Sequence, residues 1–453
     1  MSNGHSIGVR AEREDGIHPA QSAPDAGIAL DPSDTSAAAW SAAPARHDHC
    51  RSCGGALHDF VDLGTSPLCE SFLSASQLDA MEPHYPLKVM VCGSCYLAQV
   101  KEYVAPGDIF REYAYFSSYS QAWLDHARAY VDMAVARFGL GPQSHVVELA
   151  SNDGYLLQYF VAKGIPALGI DPAENVAKAA EARGVPTLAR FFDMTIAAKL
   201  AAKGRSADLV IGNNVLAQVP DLDGFLAGVA TLLKPDGVAT FEFPHLLRLI
   251  EQNQFDTIYH EHFWYFSLLA IQRLLATHGL RVFDVEELPT HGGSLRLFVC
   301  HAGAERAARP TVGALIAREV RSGLTDPARY ALFAEQVRET KRGLLEFLIA
   351  AKRARKTIVG YGAPGKGNTL LNYCGIGTDF IDYTVDRNPY KHGKYLPGSR
   401  IPIQAPDAIA TTRPDYVLIL PWNIKDEIMQ QMAYIRDWGG RFVVPIPAVR
   451  VYE

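Results

Sequence analysis

Tyr259, His260, Glu261 and His262 place a phenol, two imidazoles and a carboxylate directly before the aromatic run at residues 263–266. Titratable groups cost free energy when they are buried beside apolar side chains, so such a cluster favours a chemical role. In apolar surroundings desolvation lowers the pKa of histidine, which leaves a neutral imidazole that can accept a proton. A metal site and a polar cluster at a helix start stay open as alternatives. The metal site is disfavoured because residues i and i+2 of a helix point apart and the pattern is not HExxH.

Two CxxC pairs, Cys50 with Cys53 and Cys92 with Cys95, occur between residues 50 and 95. Each pair places two thiolates on a tight turn, and two such turns supply the four ligands of a tetrahedral Zn²⁺ ion. Because protein would fill all four positions, the zinc would be structural. Two unrelated cysteine pairs or redox motifs are the alternative. The other three cysteines are expected to be buried or incidental: Cys69, Cys300 and Cys374.

The segment HVVELASNDGYLLQYF at residues 145–160 predicts a strand, a turn and a helix. The next predicted strand ends at Asp171, whose carboxylate would reach the same crevice and accept hydrogen bonds from a ribose. The turn departs from GxGxxG, and Asp153 would repel phosphates but could hold a cationic group. S-adenosylmethionine fits these requirements, and an ordinary strand-to-helix turn is the alternative. The predicted cofactor-binding residues are Ala150, Ser151, Asn152, Asp153, Gly154, Asp171 and Asn214.

The elements that must position these residues alternate between short runs rich in Val, Ile and Phe and helical segments. This alternation predicts an α/β fold with mostly parallel sheets. Asn213 and Asn214 follow one such strand, at the edge where open sheets bind ligands. Phe191 and Phe192 follow the third strand and are candidates to pack an adenine, with core packing as the alternative.

The length of 453 residues is too great for one ordinary core and indicates several domains. A net charge of −6 disfavours a protein that binds nucleic acid through its overall charge. No apolar stretch is long enough for a membrane span, and the first residues lack the apolar region of a signal peptide. We therefore expect a cytoplasmic protein.

The cysteine pairs and the segments ELASNDGYLL, NNVLAQVPD, YHEHFWYFS, THGGSLRLF, GYGAPGKGNTLLNYCG and VDRNPYKHGKYLPGSRIPI occur in this order. Together they resemble the sugar C-methyltransferases of bacterial deoxysugar pathways, which act on nucleotide-linked 4-keto-6-deoxyhexoses. The resemblance covers about residues 47–453. With the composition it predicts a disordered tail (1–46), a zinc-binding module (47–105), a class I S-adenosylmethionine-dependent methyltransferase domain (106–304), a helical bridge (305–353) and a Rossmann-like nucleotide-sugar-binding domain (354–453).

The resemblance implies that the carbon next to the C4 ketone, at C3, loses a proton before it is methylated. His262 would be the base, and Tyr259 and Glu261 would orient it or contact the sugar. The nucleotide is expected to be dTDP, with CDP or GDP as alternatives, and the chain to be a monomer or a weak oligomer. The expected substrate contacts are Tyr113, Tyr115, Gln218, His291, Lys366, Asn368, Arg387, Lys391 and Lys394. Within this set, Lys366 and Asn368 would face the diphosphate at a helix start, and Arg387, Lys391 and Lys394 would surround it from a loop.

Two positions depart from the family pattern. Similar enzymes usually carry histidine where this chain has Gln218, which cannot take a proton, and often carry histidine in place of Phe116. Three other functions therefore stay open. They are a nucleotide-sugar oxidoreductase that holds NAD(P)H at the GYGAPG turn, a zinc-ribbon scaffold with an inactive methyltransferase core, and a methyltransferase acting on protein or RNA.

Overall fold

The structure is a computed structural model that describes residues 49–101 and 117–453. The expectations for the tail at residues 1–46 and for Tyr113, Tyr115 and Phe116 lie outside the described residues. The described residues form three β-sheets with helices packed around them, so the predicted α/β class is confirmed. Across the same residues, no helix combines the length and the apolar character needed to cross a membrane.

The first sheet is antiparallel and lies next to the cysteine pairs. Its strands are β1 (Leu57–Ser66), β2 (Tyr85–Cys92) and β3 (Ala98–Val100). Phe60 of β1 is buried, and its ring centroid lies 5.1 Å from those of both Tyr330 and Phe333. The first sheet therefore shares a hydrophobic core with the C-terminal part of the chain.

The central region contains most of the remaining elements. In chain order they are α1 (Gln121–Phe138), β4 (Val146–Leu149), α2 (Leu157–Ala162), β5 (Ala167–Asp171), α3 (Glu174–Ala182), β6 (Thr187–Ala189), α4 (Met194–Ala202), β7 (Ala207–Asn213), α5 (Leu222–Leu232), β8 (Leu233–Pro244), α6 (Leu246–Glu251), β9 (Trp264–Tyr265), α7 (Leu268–Thr277), β10 (Leu280–Leu288) and β11 (Ser294–His301).

Seven of these strands form one sheet in the order β10-β11-β8-β7-β4-β5-β6. The strands β4 to β8 run parallel, whereas β10 and β11 are antiparallel to their neighbours. Ligands of open parallel sheets bind at the carboxyl ends of the strands, where the strand order reverses. That point lies between β4 and β7, so the turn at residues 150–154 and the pair Asn213–Asn214 meet at one crevice.

The first helix of this region shows how local sequence sets the limits of an element. The Ser120 hydroxyl accepts a hydrogen bond from the Trp123 amide and caps the start of α1. Gly139 ends the helix with a φ of 64°, a left-handed conformation that glycine adopts without strain. Between these residues, Ala127 and Tyr130 face the core. The sequence predicts this helix at residues 123–138, which agrees with the structure.

The segment with the His-Glu-His cluster does not begin a helix. A short 3₁₀ turn at Phe255–Thr257 precedes it, an irregular turn follows, and the chain then enters β9. β9 leaves the central region and pairs with β3 of the first sheet, with Ala98 opposite Tyr265. The interpretation as a polar helix start is therefore wrong. The strand β8 begins at Leu233, and its pairing with β7 shifts register between Ala207 and Leu209.

The C-terminal region begins with two helices and ends in a third sheet. In chain order the elements are α8 (Pro310–Arg321), α9 (Pro327–Arg353), β12 (Ile358–Tyr361), α10 (Gly365–Cys374), β13 (Thr384–Val385), β14 (Ile403–Gln404), α11 (Ala408–Thr412), β15 (Tyr416–Ile419), α12 (Lys425–Gln431), β16 (Arg441–Val444) and β17 (Arg450–Tyr452). The sheet order is β14-β13-β12-β15-β16-β17, and only β17 is antiparallel to its neighbour.

Candidate active site

The four cysteines of the two CxxC pairs converge beside the first sheet. Their sulfur atoms all lie within 4.8 Å of one another, with Cys50 Sγ 3.6 Å from Cys95 Sγ and Cys53 Sγ 3.4 Å from Cys92 Sγ. A tetrahedral zinc ion with Zn–S bonds of about 2.3 Å places its sulfur ligands about 3.8 Å apart. The donor set and its spacing therefore fit zinc. The amide of Gln99 donates to Cys50 Sγ, which favours the thiolate form that binds the metal.

The first sheet holds the segment that follows the His-Glu-His cluster. The Val100 amide donates to the Phe263 carbonyl at 3.0 Å, next to the pairing of β3 with β9. Arg51, which lies between two of the cysteines, donates to the same carbonyl and stacks on Trp264 with its guanidinium carbon 4.0 Å from the ring centroid. The zinc-binding module thus fixes the backbone on the C-terminal side of His262.

His262 occupies a tight turn and is 8% exposed. Its amide donates to the Tyr259 carbonyl, and the ring centroids of the two residues lie 4.2 Å apart. Burial lowers the pKa of His262 to about 3, and the charges of His291 and Lys366 act in the same direction. At neutral pH the imidazole is therefore neutral and able to accept a proton.

Glu261 is also buried, and its Oε2 accepts a hydrogen bond from the Cys69 thiol at 3.2 Å. Burial raises the pKa of Glu261 to about 7, although the hydrogen bond from Cys69 opposes the shift. The His260 side chain contacts β2 instead, where its Nε2 lies 3.1 Å from the Pro86 carbonyl oxygen. The two imidazoles do not act as a pair of ligands. In residues 49–101 and 117–453, only the four cysteines form a cluster that could hold a metal ion.

His291 approaches the crevice on a loop of strained backbone. It has a φ of 54°, and Gly292 and Gly293 follow with φ values of 92° and 122°. Its ring lies edge-on to Trp123, with centroids 5.2 Å apart, and its Nε2 lies 3.4 Å from Asn214 Nδ2. Burial lowers the pKa of His291 to about 4, so this imidazole is neutral as well.

The predicted donor turn follows β4 and has a tightly constrained backbone. Ala150, Asn152 and Gly154 all have positive φ, and a Cβ on Gly154 would lie 3.0 Å from the Val185 side chain. The Asn152 amide donates to Asp171 Oδ2 at 2.9 Å, which joins the turn to the end of β5. Burial raises the pKa of Asp171 to about 6.

Several buried polar atoms at this crevice have no hydrogen-bond partner among the described residues, among them Ser151 Oγ, Asp153 Oδ1 and Asn213 Oδ1. Buried polar groups are nearly always satisfied, so these atoms indicate a polar ligand at the carboxyl ends of β4 and β7. The crevice therefore fits S-adenosylmethionine. The sequence singled out Asn214 as a ligand of the cofactor, whereas the unsatisfied oxygen belongs to Asn213.

Asp153 anchors the donor turn through one of its two carboxylate oxygens. Its buried Oδ2 pairs with Arg183 at 2.7 Å and accepts a hydrogen bond from the Ser118 hydroxyl, which joins the turn to the end of α3. Its Oδ1 is also buried and has no hydrogen-bond partner among the described residues. The contact of Asp153 with a cationic group of the cofactor stays a prediction.

An apolar cavity continues from the donor turn. Its lining includes Ala150, Phe191, Phe192, Val215 and Gln218. Ile170 and Pro172, the chain neighbours of Asp171, line it as well, and an apolar cavity of this kind suits an adenine. Gln218, an expected substrate contact, thus lies on the side of the cofactor crevice.

Lys366 lies at the start of α10, and its charge lowers the pKa of both His262 and His291. Its Nζ lies 2.8 Å from Asn423 Oδ1 and 4.9 Å from the Trp422 ring centroid. Burial lowers the pKa of Lys366, and the charge of Asp256 opposes that shift. The Trp422 indole donates to Asp256 at 2.6 Å and connects the C-terminal sheet to the segment before the cluster.

The other cations expected to bind a diphosphate differ in their exposure and in their partners. Lys391 donates to the Ala363 carbonyl and lies 3.8 Å from Glu70, whereas Arg387 is exposed and 3.6 Å from Glu427. Lys394 is exposed. Asn368 is 1% exposed and donates to the Cys69 carbonyl, and its contact with a diphosphate stays a prediction.

Sequence reasoning missed a buried carboxylate that organises the His291 loop. Glu242 of β8 accepts hydrogen bonds from His126, Arg296 and Thr290, each at 2.9–3.0 Å. These partners lie on α1, on β11 and directly before His291. The only signal in the sequence is an acid inside an otherwise apolar strand, and that signal does not name its partners.

Three family models match the chain. A model described as "Putative zinc binding domain" matches residues 50–110, a "Methyltransferase domain" matches residues 123–285, and a "C-methyltransferase C-terminal domain" matches residues 289–447.

Individual proteins are similar as well. The C-methyltransferase NovU of Streptomyces niveus is 40% identical over 89% of this chain and 96% of its own length. The ubiquinone biosynthesis O-methyltransferase of Bartonella bacilliformis is 25% identical over 32% of this chain and 64% of its own length. Among solved structures, an S-adenosylmethionine-dependent methyltransferase from Clostridium acetobutylicum has a TM-score of 0.32 and 14% identity, and covers 39% of this chain and 92% of that one.

The family matches confirm two predictions, namely a methyltransferase domain and a zinc-binding module ahead of it, and the third match assigns residues 289–447 to a C-terminal domain of C-methyltransferases. The relative that extends over nearly the whole chain is a C-methyltransferase. These findings show that the chain belongs to the family of C-methyltransferases that its motifs resemble.

Proposed function

We propose that this enzyme methylates C3 of a nucleotide-linked 4-keto-6-deoxyhexose after removing a proton from that carbon. The observation that carries the proposal is a buried imidazole held in a tight turn. His262 is 8% exposed, its ring centroid lies 4.2 Å from that of Tyr259, and burial lowers its pKa to about 3, so the imidazole is neutral. The charge of the half-buried Lys366 acts on the same imidazole, and burial raises the pKa of the preceding residue, Glu261, to about 7. Removing a proton next to a ketone requires such a base and a positive potential for the resulting oxyanion.

In this reaction S-adenosylmethionine supplies an electrophilic methyl group when it is bound. His262 takes the proton from the sugar carbon, and a positioned base of this kind contributes roughly 10²–10⁴ in rate. The Tyr259 ring packs against the imidazole at an interplanar angle of 37° and limits its rotation. A base with a pKa of about 3 gains driving force only when negative charge develops beside it. The enolate provides that charge in the same step.

Lys366 is proposed to stabilise the enolate oxygen. Its charge lowers the pKa of both His262 and His291, so the ammonium contributes positive potential at both imidazoles. The same potential stabilises an oxyanion in the crevice. This assignment differs from the expected contact with a diphosphate. Among the cations expected for the nucleotide, Arg387, Lys391 and Lys394 remain as contacts to dTDP, the expected carrier.

The rival function, reduction of a sugar ketone with NAD(P)H at the GYGAPG turn, is disfavoured by two contacts. Asp386 accepts a hydrogen bond from the Ala363 amide at 2.7 Å, and Glu70 accepts one from the Gly365 amide. A dinucleotide pyrophosphate at the start of α10 would need these amides, whereas the diphosphate of dTDP would be held by the side-chain cations of the loop that follows β13.

Mass spectrometry of the products tests the proposal. Purified enzyme is incubated with a panel of nucleotide-linked 4-ketohexoses and either S-adenosylmethionine or NADPH. A product heavier by one CH₂ unit, with the new methyl located on C3 by NMR, supports the proposed function. A reduced sugar formed with NADPH, and no methylated product, would establish the rival function.

A further inference from the structure

Cys69 lies on the segment that follows β1, and contacts from several elements fix it. Its side chain is 2% exposed, and its Sγ lies 3.2 Å from Glu261 Oε2. Its carbonyl oxygen accepts a hydrogen bond from Asn368 Nδ2 at 2.6 Å. At the start of α10, a Cβ on Gly365 would lie 2.7 Å from the Cys69 sulfur. The thiol is therefore held between the catalytic turn and the C-terminal sheet.

The hydrogen bond between the two side chains has a defined direction. Burial raises the pKa of Cys69 well above its ordinary value, and the neighbouring charges of Glu261 and Glu70 act in the same direction. Cys69 consequently remains a thiol and can only donate its proton toward the carboxylate. A donated hydrogen bond favours the ionised form of the acceptor.

Glu261 has few other partners in the described structure. The charged and titratable groups that face it are Cys69 and Glu70, from the segment after β1, and Tyr265 from β9. Of these, only Cys69 donates a hydrogen bond to its side chain, and the backbone amide of Glu261 is a further donor, while burial and the charge of Glu70 favour the protonated acid. Removal of the thiol would leave both opposing influences in place.

We propose that Cys69 is a positioning residue for the methylation reaction, because its thiol keeps the Glu261 carboxylate ionised and oriented beside His262. This inference rests on the proposed function. It assigns to the zinc-binding module a direct contact with the catalytic turn, in addition to its metal site.

The pH dependence of methylation tests the inference. In Cys69→Ala the pKa of Glu261 rises, so the acidic limb of kcat/KM moves to higher pH, by about half to one unit. Cys69→Ser, whose hydroxyl can still donate, restores the wild-type position. Cys374→Ala removes another buried thiol and leaves the limb in place. A Cys69→Ala enzyme with the wild-type profile would overturn the proposal.

An infrared measurement separates this inference from the proposed function. The difference spectrum between wild type and Cys69→Ala isolates the S–H stretching band of Cys69, since the other thiols cancel. In Glu261→Gln the band shifts toward the frequency of a more weakly bonded thiol if the two side chains are paired. An S–H band whose frequency is the same in Glu261→Gln as in the wild type would show that the two side chains are not paired, even if the enzyme methylates its substrate. A band that shifts in an enzyme unable to methylate any sugar supports the pairing and overturns only its role in methylation.

Discussion

Arg51 of the first CxxC turn stacks on Trp264, with 4.0 Å between its guanidinium carbon and the ring centroid. The same guanidinium donates to the Phe263 and Val100 carbonyls. A residue inside the zinc knuckle thus holds the backbone directly after His262. The Arg51 side chain therefore connects the metal site to the catalytic turn, in addition to the pairing of β3 with β9.

Arg51→Ala is therefore expected to lower kcat about tenfold, because a misplaced turn costs transition-state stabilisation. Affinity for S-adenosylmethionine, measured by calorimetry, should stay unchanged, since the donor turn lies on another sheet. Arg128→Ala is the matched control, because Arg128 also stacks on an aromatic ring, that of Tyr159. Equal losses of kcat in both variants would argue against the connection.

Gly292 is expected to tolerate no side chain. It has a φ of 92°, and a Cβ there would lie 2.6 Å from the Trp422 ring. Gly292→Ala should lower the free energy of unfolding by about 1–3 kcal/mol and also reduce activity, because it displaces the His291 loop. Urea unfolding measures the first effect. Gly303→Ala, at a position with no atom within 4 Å of the added Cβ, should be nearly neutral.

Glu242→Gln should destabilise the protein by about 3–5 kcal/mol, because Arg296 would keep a buried charge after losing its buried carboxylate partner. Arg296 also pairs with Glu286, which is 37% exposed, at 3.3 Å. Glu286→Gln removes the exposed charged partner of the same arginine and should lower the free energy of unfolding by less than about 1 kcal/mol. Thermal unfolding of the two variants checks this difference. Similar costs would mean that burial does not control the energetics of this network.

The stability of the protein should depend on the ionisation of Glu261. Its pKa is raised from 4.5 to about 7, so between these values the folded state binds a proton that the unfolded state has lost. Stability contributed by this group therefore falls as pH rises from about 4.5 to 7. Glu261→Gln should be more stable than wild type by about 2–3 kcal/mol at pH 8, with little gain at pH 4. Glu346→Gln, on the exposed side of α9, should show no such pH dependence.

The features that the sequence predicts correctly depend on local spacing. The CxxC pairs, the alternation of strands and helices and the turn after β4 are each encoded within a few neighbouring residues. The tetrahedral cysteine cluster and the crevice between β4 and β7 follow from these patterns. The role of each side chain within the turn does not follow, as the ion pair of Asp153 with Arg183 illustrates.

The contacts that the sequence does not predict are between residues that are distant in the chain. Cys69 looked incidental because nothing near it in sequence reveals its contact with Glu261. Glu70 occupies the start of α10, where the glycine-rich segment indicated a phosphate. The aromatic residues after His262 suggested a buried helix, but Trp264 and Tyr265 instead extend a sheet from another domain. Only the tertiary fold determines these partners.

The most direct test of the central claim is hydrogen exchange at C3 of a nucleotide-linked 4-ketohexose in deuterated water. S-adenosylhomocysteine replaces the donor, so that proton removal is observed without methylation. The wild-type enzyme should introduce deuterium at C3, and His262→Gln should do so at least about 100-fold more slowly. His278→Gln, at the end of α7, serves as the control and should exchange like the wild type. Exchange at the wild-type rate in a folded His262→Gln enzyme would contradict the assignment of the base.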